Sequence, residues 1–452
     1  MKHTLPVLGA LLVTAQATAA FAGGMFLPTR GVHALGRGGA FVAGDDDADA
    51  LFLNPAGLAE LAQKGHWTLY IDVADVHQDT SYARIDSGGN QLAAVKNQKP
   101  DQPIPTIAAT YAIDNRLVVG VGVGAPYTTV HKYDEDGPQR YSSVSFEDSL
   151  FVQLDIGVAY KLTDHLRVGA TFEDLISNVS SRIVLGGCPG QTVCAPEDPD
   201  FDSVSQVHQR DFVSPSGSIG LQWDAHKYVT LGLAAHAPAK ISGTGTVQAR
   251  LPSSAFFEGA SVAGDSGTLA LTLPGWVRGG VEVHPIPSLA IEADLDIEFW
   301  SEQKDITITP HDIRIENAAG VGTYTFGEMV IPRNFKNSYA PSLGAEWHHG
   351  RLMLSAGASY ETAAAPKGYV SVITVDAPKI LVGAGAGWKL GKTWNVGAAL
   401  GYAHVDDVNL SLADAKVPQL TPIRDQPSEV IVNAGQYHTK YLVGGVRVSK
   451  TF

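Results

Sequence analysis

The sequence predicts an all-β fold, a transmembrane antiparallel β-barrel of about fourteen strands with an N-terminal plug in its lumen. Three observations carry that expectation. From about residue 66 to the end, apolar residues alternate with small or polar ones at period two, in segments separated by turn residues. Aromatic residues gather at segment ends (Trp67, Tyr160, Trp223, Tyr228, Trp276, Trp300, Trp347, Tyr360, Trp388, Trp394), which suits two interfacial girdles. Connections alternate between short turns, as at 160–165 and 223–226, and long polar or glycine-rich stretches at about 128–148, 185–208, 242–266 and 310–334.

In chain order, residues 1–22 read as an export signal. Lys2 gives a positive start, Leu5 to Val13 is apolar, and Ala20-Phe21-Ala22 is a small-x-small cleavage site that leaves Gly23 as the mature N-terminus. The alternative, a membrane anchor, needs a longer apolar core, and no run of about 18 apolar residues follows anywhere in the chain. Residues 23–64 do not alternate; they are too apolar to dangle and are expected to fold into the lumen as a plug. Residues 65–452 are the expected barrel. Its strands include 68–73, 151–160, 229–235, 289–297, 352–360, 380–388 and 441–452, the last ending on Phe452, the terminal aromatic expected of an outer-membrane barrel. In a soluble sandwich the dry faces of such strands meet each other, whereas in a membrane barrel they face lipid.

The third strand, about 116–128, carries Gly120, Gly122, Gly124 and then Pro126. Glycine weakens a strand and proline withholds a ladder donor, so this strand could open sideways; equally, the glycines could make room for the plug. Cys188 and Cys194 flank a short loop tip and are expected to form a disulfide in an oxidising compartment, two free thiols being the alternative. A net charge of −14 and the lack of any basic run argue against nucleic acid as a partner. Asp45, Asp46 and Asp47 lack the spacing of a calcium loop and read as a solvated turn, so no metal site and no cofactor are expected. No nucleophile elbow or phosphate-cradling loop is present.

Gly31 through Gly39 (with Gly36 at its centre), the acidic-alanine stretch Asp45 to Ala50, and Asn54-Pro55-Ala56-Gly57-Leu58 stand in this order behind the signal. Together with Leu273-Pro274-Gly275-Trp276, Phe335-Lys336-Asn337-Ser338-Tyr339 and the closing strand, they resemble the FadL-type outer-membrane transporters over nearly the whole mature chain. The resemblance implies no enzyme but passive uptake of a hydrophobic small molecule, a fatty acid or an aromatic hydrocarbon. Capture would occur on external loops, transfer to a lumenal pocket would follow, and exit would be lateral, through a kinked third strand. It also implies a monomer set in outer-membrane lipid and lipopolysaccharide and inserted by the barrel assembly machinery. The family places an Arg late in its fifth strand and a Lys ahead of its tenth. Arg182 falls near the first, while Ile331 or a neighbour occupies the second, with Arg333 close by. Each arginine could instead be an ordinary lumen or loop charge. Phe256 and Phe257 could line an external capture groove or pack inside a structured loop. A general porin and a lipid-acting barrel enzyme are the competing readings.

Overall fold

The computed structural model describes residues 31–126, 130–190, 193–195, 197–319, 322–423 and 429–452; the expected signal and residues 23–30 lie outside them. Fourteen strands make the wall. They are β1 (Trp67–Arg84), β2 (Asp101–Ala112), β3 (Leu117–Gly124), β4 (Leu150–Lys161), β5 (Leu166–Gly186), β6 (Pro215–His226) and β7 (Val229–His236). The circuit continues with β8 (Trp276–Ile286), β9 (Leu289–Glu298), β10 (Ser338–His349), β11 (Leu352–Glu361), β12 (Lys379–Leu390), β13 (Trp394–Val405) and β14 (Gly435–Thr451). Each pairs antiparallel with the next, and β14 pairs back onto β1 from Thr68↔Thr451 to Arg84↔Gly435. Closure matters physically, because a sheet edge left in hydrocarbon would strand its N–H and C=O groups.

The side chains say which face meets lipid. Along β1, Trp67, Leu69, Ile71 and Val73 are exposed while Thr68, Tyr70 and Asp72 are buried. On β4 and β13 the outward Ile156 and Leu400 are 64% and 65% exposed. An apolar skin around a polar interior is the reverse of a soluble sandwich and is stable only against lipid. Trp67, Tyr160, Trp223, Tyr228, Trp347, Trp388 and Trp394 ring the short-turn end, and Tyr339, Tyr360 and Tyr402 lie toward the other. Trp276 and Trp300, expected in these girdles, are instead 2% and 0% exposed inside the barrel. Alternation fixes that a residue is on one face, but not which face, wherever a bend intervenes.

The long stretches are also not all loop. Strands Asp202–Asp211, Ala239–Ala249, Ser266–Leu273, Asp305–His311 and Met329–Pro332 pair in series from the upper half of β5 and raise the wall on that side. They stand above the lipid, so their outer faces carry residues such as Thr244 and Thr246, and the sequence read as polar loop. Cys188 and Cys194 form a disulfide at this end, with Cα atoms 5.9 Å apart.

Residues 31–62 form a short helix (Val32–Gly36) and two 3-10 turns (Ala48–Leu51 and Pro55–Leu61). Asn54 starts the second turn: its Oδ1 accepts from Ala56 N (3.2 Å), Pro55 opens the turn, and its Nδ2 donates to Val42 O (2.8 Å) and to Leu221 O on β6 (3.3 Å). The segment touches the inner wall on all sides. Val32 N donates to Asp72 on β1, Gln222 on β6 donates to Ala43 O and Asp45 O, and Arg447 on β14 pairs with Asp47. Its backbone also presses against wall glycines. A Cβ at Gly357 or Gly383 would collide with the carbonyls of Arg37 and Leu35; within the segment itself, one at Gly57 would collide with that of Asp45. At Gly36 a Cβ would stand 2.6 Å from Ser355 Oγ. Asp45, expected in a solvated turn, is 1% exposed among these contacts.

Candidate functional site

The lumen is polar below and apolar above. Arg37 Nη2 donates to Glu282 on β8 and to Glu292 on β9, both at 2.6 Å, and His33 Nε2 meets Glu346 on β10 at 2.5 Å. Higher on β9, Asp296 pairs with Arg278 (3.0 Å), and Glu298 accepts from Trp300 Nε1 (2.5 Å) and Ser338 Oγ (3.2 Å). Above Glu298 apolar side chains gather in one large cluster. There a cavity of about 50 Å³ is lined by Phe146, Val179, Ile183, Val207, Leu269, Leu271, Ile306, Ile308, Ile331 and Ile373. Among the described residues its polar lining is Ser142, Ser143, Ser181 and Gln303, with no charged side chain. The cavity is assembled from the inner face of β5, the raised strands and the loops over them, which is why no local motif announces it.

A second feature is a break in the wall. β3 ends at Gly124, opposite Thr106 on β2 and Gln153 on β4. Beyond it, β2 still pairs with β1 down to Asp101, and β4 with β5 up to Leu150, but among the described residues neither has a β3 partner. The ladder explains why. Ile113 N donates to Leu117 O and Ala112 N to His66 O, so odd-numbered residues of β2 aim their N–H at β3 and even-numbered ones at β1. The next two odd positions past the last pair are Pro105 and Pro103, which have no N–H. On the other side Lys161 N donates to Arg116 O, so even positions of β3 pair with β4, and the next of these is Pro126. Three prolines thus withhold the donors that a longer β3 would need, and the edges are left without orphan N–H groups at those points.

Within β3 the ladder is regular, with no register shift at Gly120, Gly122 or Gly124. The glycines face inward onto the lumenal segment. A Cβ at Gly122 would lie 2.6 Å from both Leu51 and Phe52, while Gly120 borders Leu51 and Gly124 borders Phe52. From the cavity, Phe146 leads to Phe151 (ring centroids 6.5 Å apart, 18° between planes), which sits on β4 where β3 is missing.

The two arginines singled out in the sequence do not meet in the cavity. Ser181 and Ile183 line it, so Arg182 between them points the other way, where its Nη2 pairs with Glu135 at 2.5 Å. Arg333 is 1% exposed, stacks its guanidinium 4.6 Å from the Phe335 ring centroid, and donates to Ser371 Oγ at 3.3 Å. Burial lowers its pKa to about 10. Phe256 and Phe257 pack against Phe201 (6.2 and 6.1 Å between centroids) under the disulfide loop, inside the folded outer end. Sequence reasoning missed Gln303 and the roles of Pro103 and Pro105.

A family model described as outer membrane protein transport protein (OMPP1/FadL/TodX) matches residues 13–441. Among solved structures, the chain is similar to a Pseudomonas aeruginosa FadL homologue (17% identity, TM-score 0.74, covering 94% of this chain and 99% of the other). It is also similar to the P. putida toluene transporter TodX (16% identity, TM-score 0.67, covering 94% and 99%). A Neisseria meningitidis serogroup B chain named as an outer membrane protein is 28% identical over 145 residues, 31% of this chain. That match spans 30% of the relative's own length. The chain is therefore an outer-membrane β-barrel and belongs to the OMPP1/FadL/TodX family of outer membrane transport proteins.

Proposed function

We propose that this protein is a passive channel for a hydrophobic compound, which rests in the apolar cavity and leaves sideways through the break above Gly124. The observation that carries the reading is the pairing of an uncharged, enclosed cavity with a wall whose edges are built from prolines. The toluene transporter and the FadL homologue it resembles support the substrate class. Residues 31–62 act as a hatch: a polar path down the lumen would cross their ion pairs, whereas an apolar solute gains from burial in the cavity and again in lipid. Capture on the outer loops precedes this step.

The test is uptake of a radiolabelled hydrophobe by cells producing wild-type or Ile308→Glu protein. A charge in the cavity is expected to abolish saturable uptake while the barrel still assembles. Unchanged uptake in that variant would place the route elsewhere. Steady ion conductance through the wild-type barrel would favour a general porin.

A further inference from the structure

Gln303 is the one cavity-lining side chain with a buried oxygen that has no hydrogen-bond partner among the described residues. It is 2% exposed. Its backbone is held on both sides, its N–H donating to Trp300 O (2.9 Å) and its carbonyl accepting from Phe335 N (3.3 Å), so the carboxamide is presented on a fixed stem. Two of the lining serines are engaged: Ser142 Oγ donates to Val432 O (3.3 Å), and Ser143 Oγ meets His131 Nε2 (2.7 Å). Buried polar atoms are almost always partnered, and leaving a carbonyl unpaired in an apolar site is unfavourable.

We infer that Gln303 selects the cargo: a neutral hydrophobe carrying one hydroxyl, an alcohol or a phenol, whose O–H donates to Gln303 Oε1. This rests on the hydrophobic-channel reading above and sharpens it. Among the described lining residues a carboxylate finds no cation: Arg182 faces the other side of β5, and Arg333 is committed to Phe335 and Ser371. An amine finds no acid in the lining. A pure hydrocarbon fits the walls but leaves Gln303 Oε1 desolvated and unpaired. Sites built to bond a hydroxyl discriminate against analogues that lack one.

Three para-substituted toluenes separate these classes: the isosteric pair p-cresol and p-xylene, and the larger 4-methylbenzoate, titrated calorimetrically into the full-length protein in detergent. Wild type is expected to bind p-cresol about tenfold more tightly than p-xylene, and 4-methylbenzoate least. Gln303→Leu removes the orphan and is expected to bind p-xylene at least as well as p-cresol. Gln303→Glu keeps an acceptor and is expected to retain the preference for p-cresol, which guards against a folding defect in the leucine variant. Equal binding of p-cresol and p-xylene by wild type, or an unchanged preference in Gln303→Leu, overturns the assignment and leaves the channel intact. Tightest binding of 4-methylbenzoate overturns it in favour of an acid carrier. No saturable binding of any probe removes the hydrophobic-channel reading itself.

Discussion

Replacing Arg37 by Met should unseat the lumenal segment. The guanidinium is 2% exposed and donates at 2.6 Å to both Glu282 and Glu292, the latter fully buried on β9. Glu292 also accepts from the N–H groups of Val42 (2.7 Å), Ala43 (2.5 Å) and Gly44 (3.2 Å), so one carboxylate gathers two turns of the segment. Methionine keeps most of the stem volume and removes the charge. Breaking a buried pair from one side costs about 3–5 kcal/mol, because the remaining carboxylates stay desolvated. Such a penalty shifts the seated-to-unseated equilibrium by a factor on the order of 10²–10³. The assay is single-channel current in planar bilayers, with thermal unfolding alongside. Wild type should be quiet, Arg37→Met should show openings and melt lower, and Arg37→Met/Glu282→Gln/Glu292→Gln should recover most of both. If Arg37→Met is as quiet and as stable as wild type, the ion pairs do not hold the segment and the reasoning fails.

Changing Pro103, Pro105 and Pro126 together to Val restores three ladder donors; β3 should lengthen and uptake of a labelled hydrophobe should fall several-fold without loss of thermal stability. Gly122→Val drives a branched side chain into Leu51 and Phe52, an overpacking expected to cost about 1–3 kcal/mol in denaturant unfolding. Asp376, in the loop between β11 and β12, is raised to about 8 by burial. A carboxyl with a raised folded pKa binds more protons folded than unfolded, so its contribution to stability is present at low pH and is lost as pH rises from about 4 to about 8. Melting curves of wild type should fall across that window relative to Asp376→Asn, and parallel curves would refute this.

The architecture was legible because lipid imposes it. Alternation along β1, β4 and β13 and the exposed Trp67, Trp388 and Trp394 follow from a wall that must be apolar outside. Features above the membrane were not legible, since strands such as Ala239–Ala249 face no lipid and lose the signature. The part played by Pro103 and Pro105 on β2 was not legible: prolines normally argue against a strand and are here tolerated because their missing N–H groups face the break. The site was harder still. Arg182 is one residue from the cavity and faces away from it, a parity that depends on register and not on residue type. Gln303 lies in a single 3-10 turn's cap, and nothing local reveals that its carboxamide is left alone in an apolar space.

The central claim is that one hydrophobic molecule passes from the cavity to the break above Gly124. A diazirine-bearing hydrophobe, photolysed on the purified barrel and mapped by peptide mass spectrometry, tests it most directly. Adducts are expected on cavity residues such as Phe146, Ile183 and Ile308 and on Ile104 and Phe151 beside the break. Adducts confined to the outward, lipid-facing side chains, with the cavity unlabelled, would contradict it.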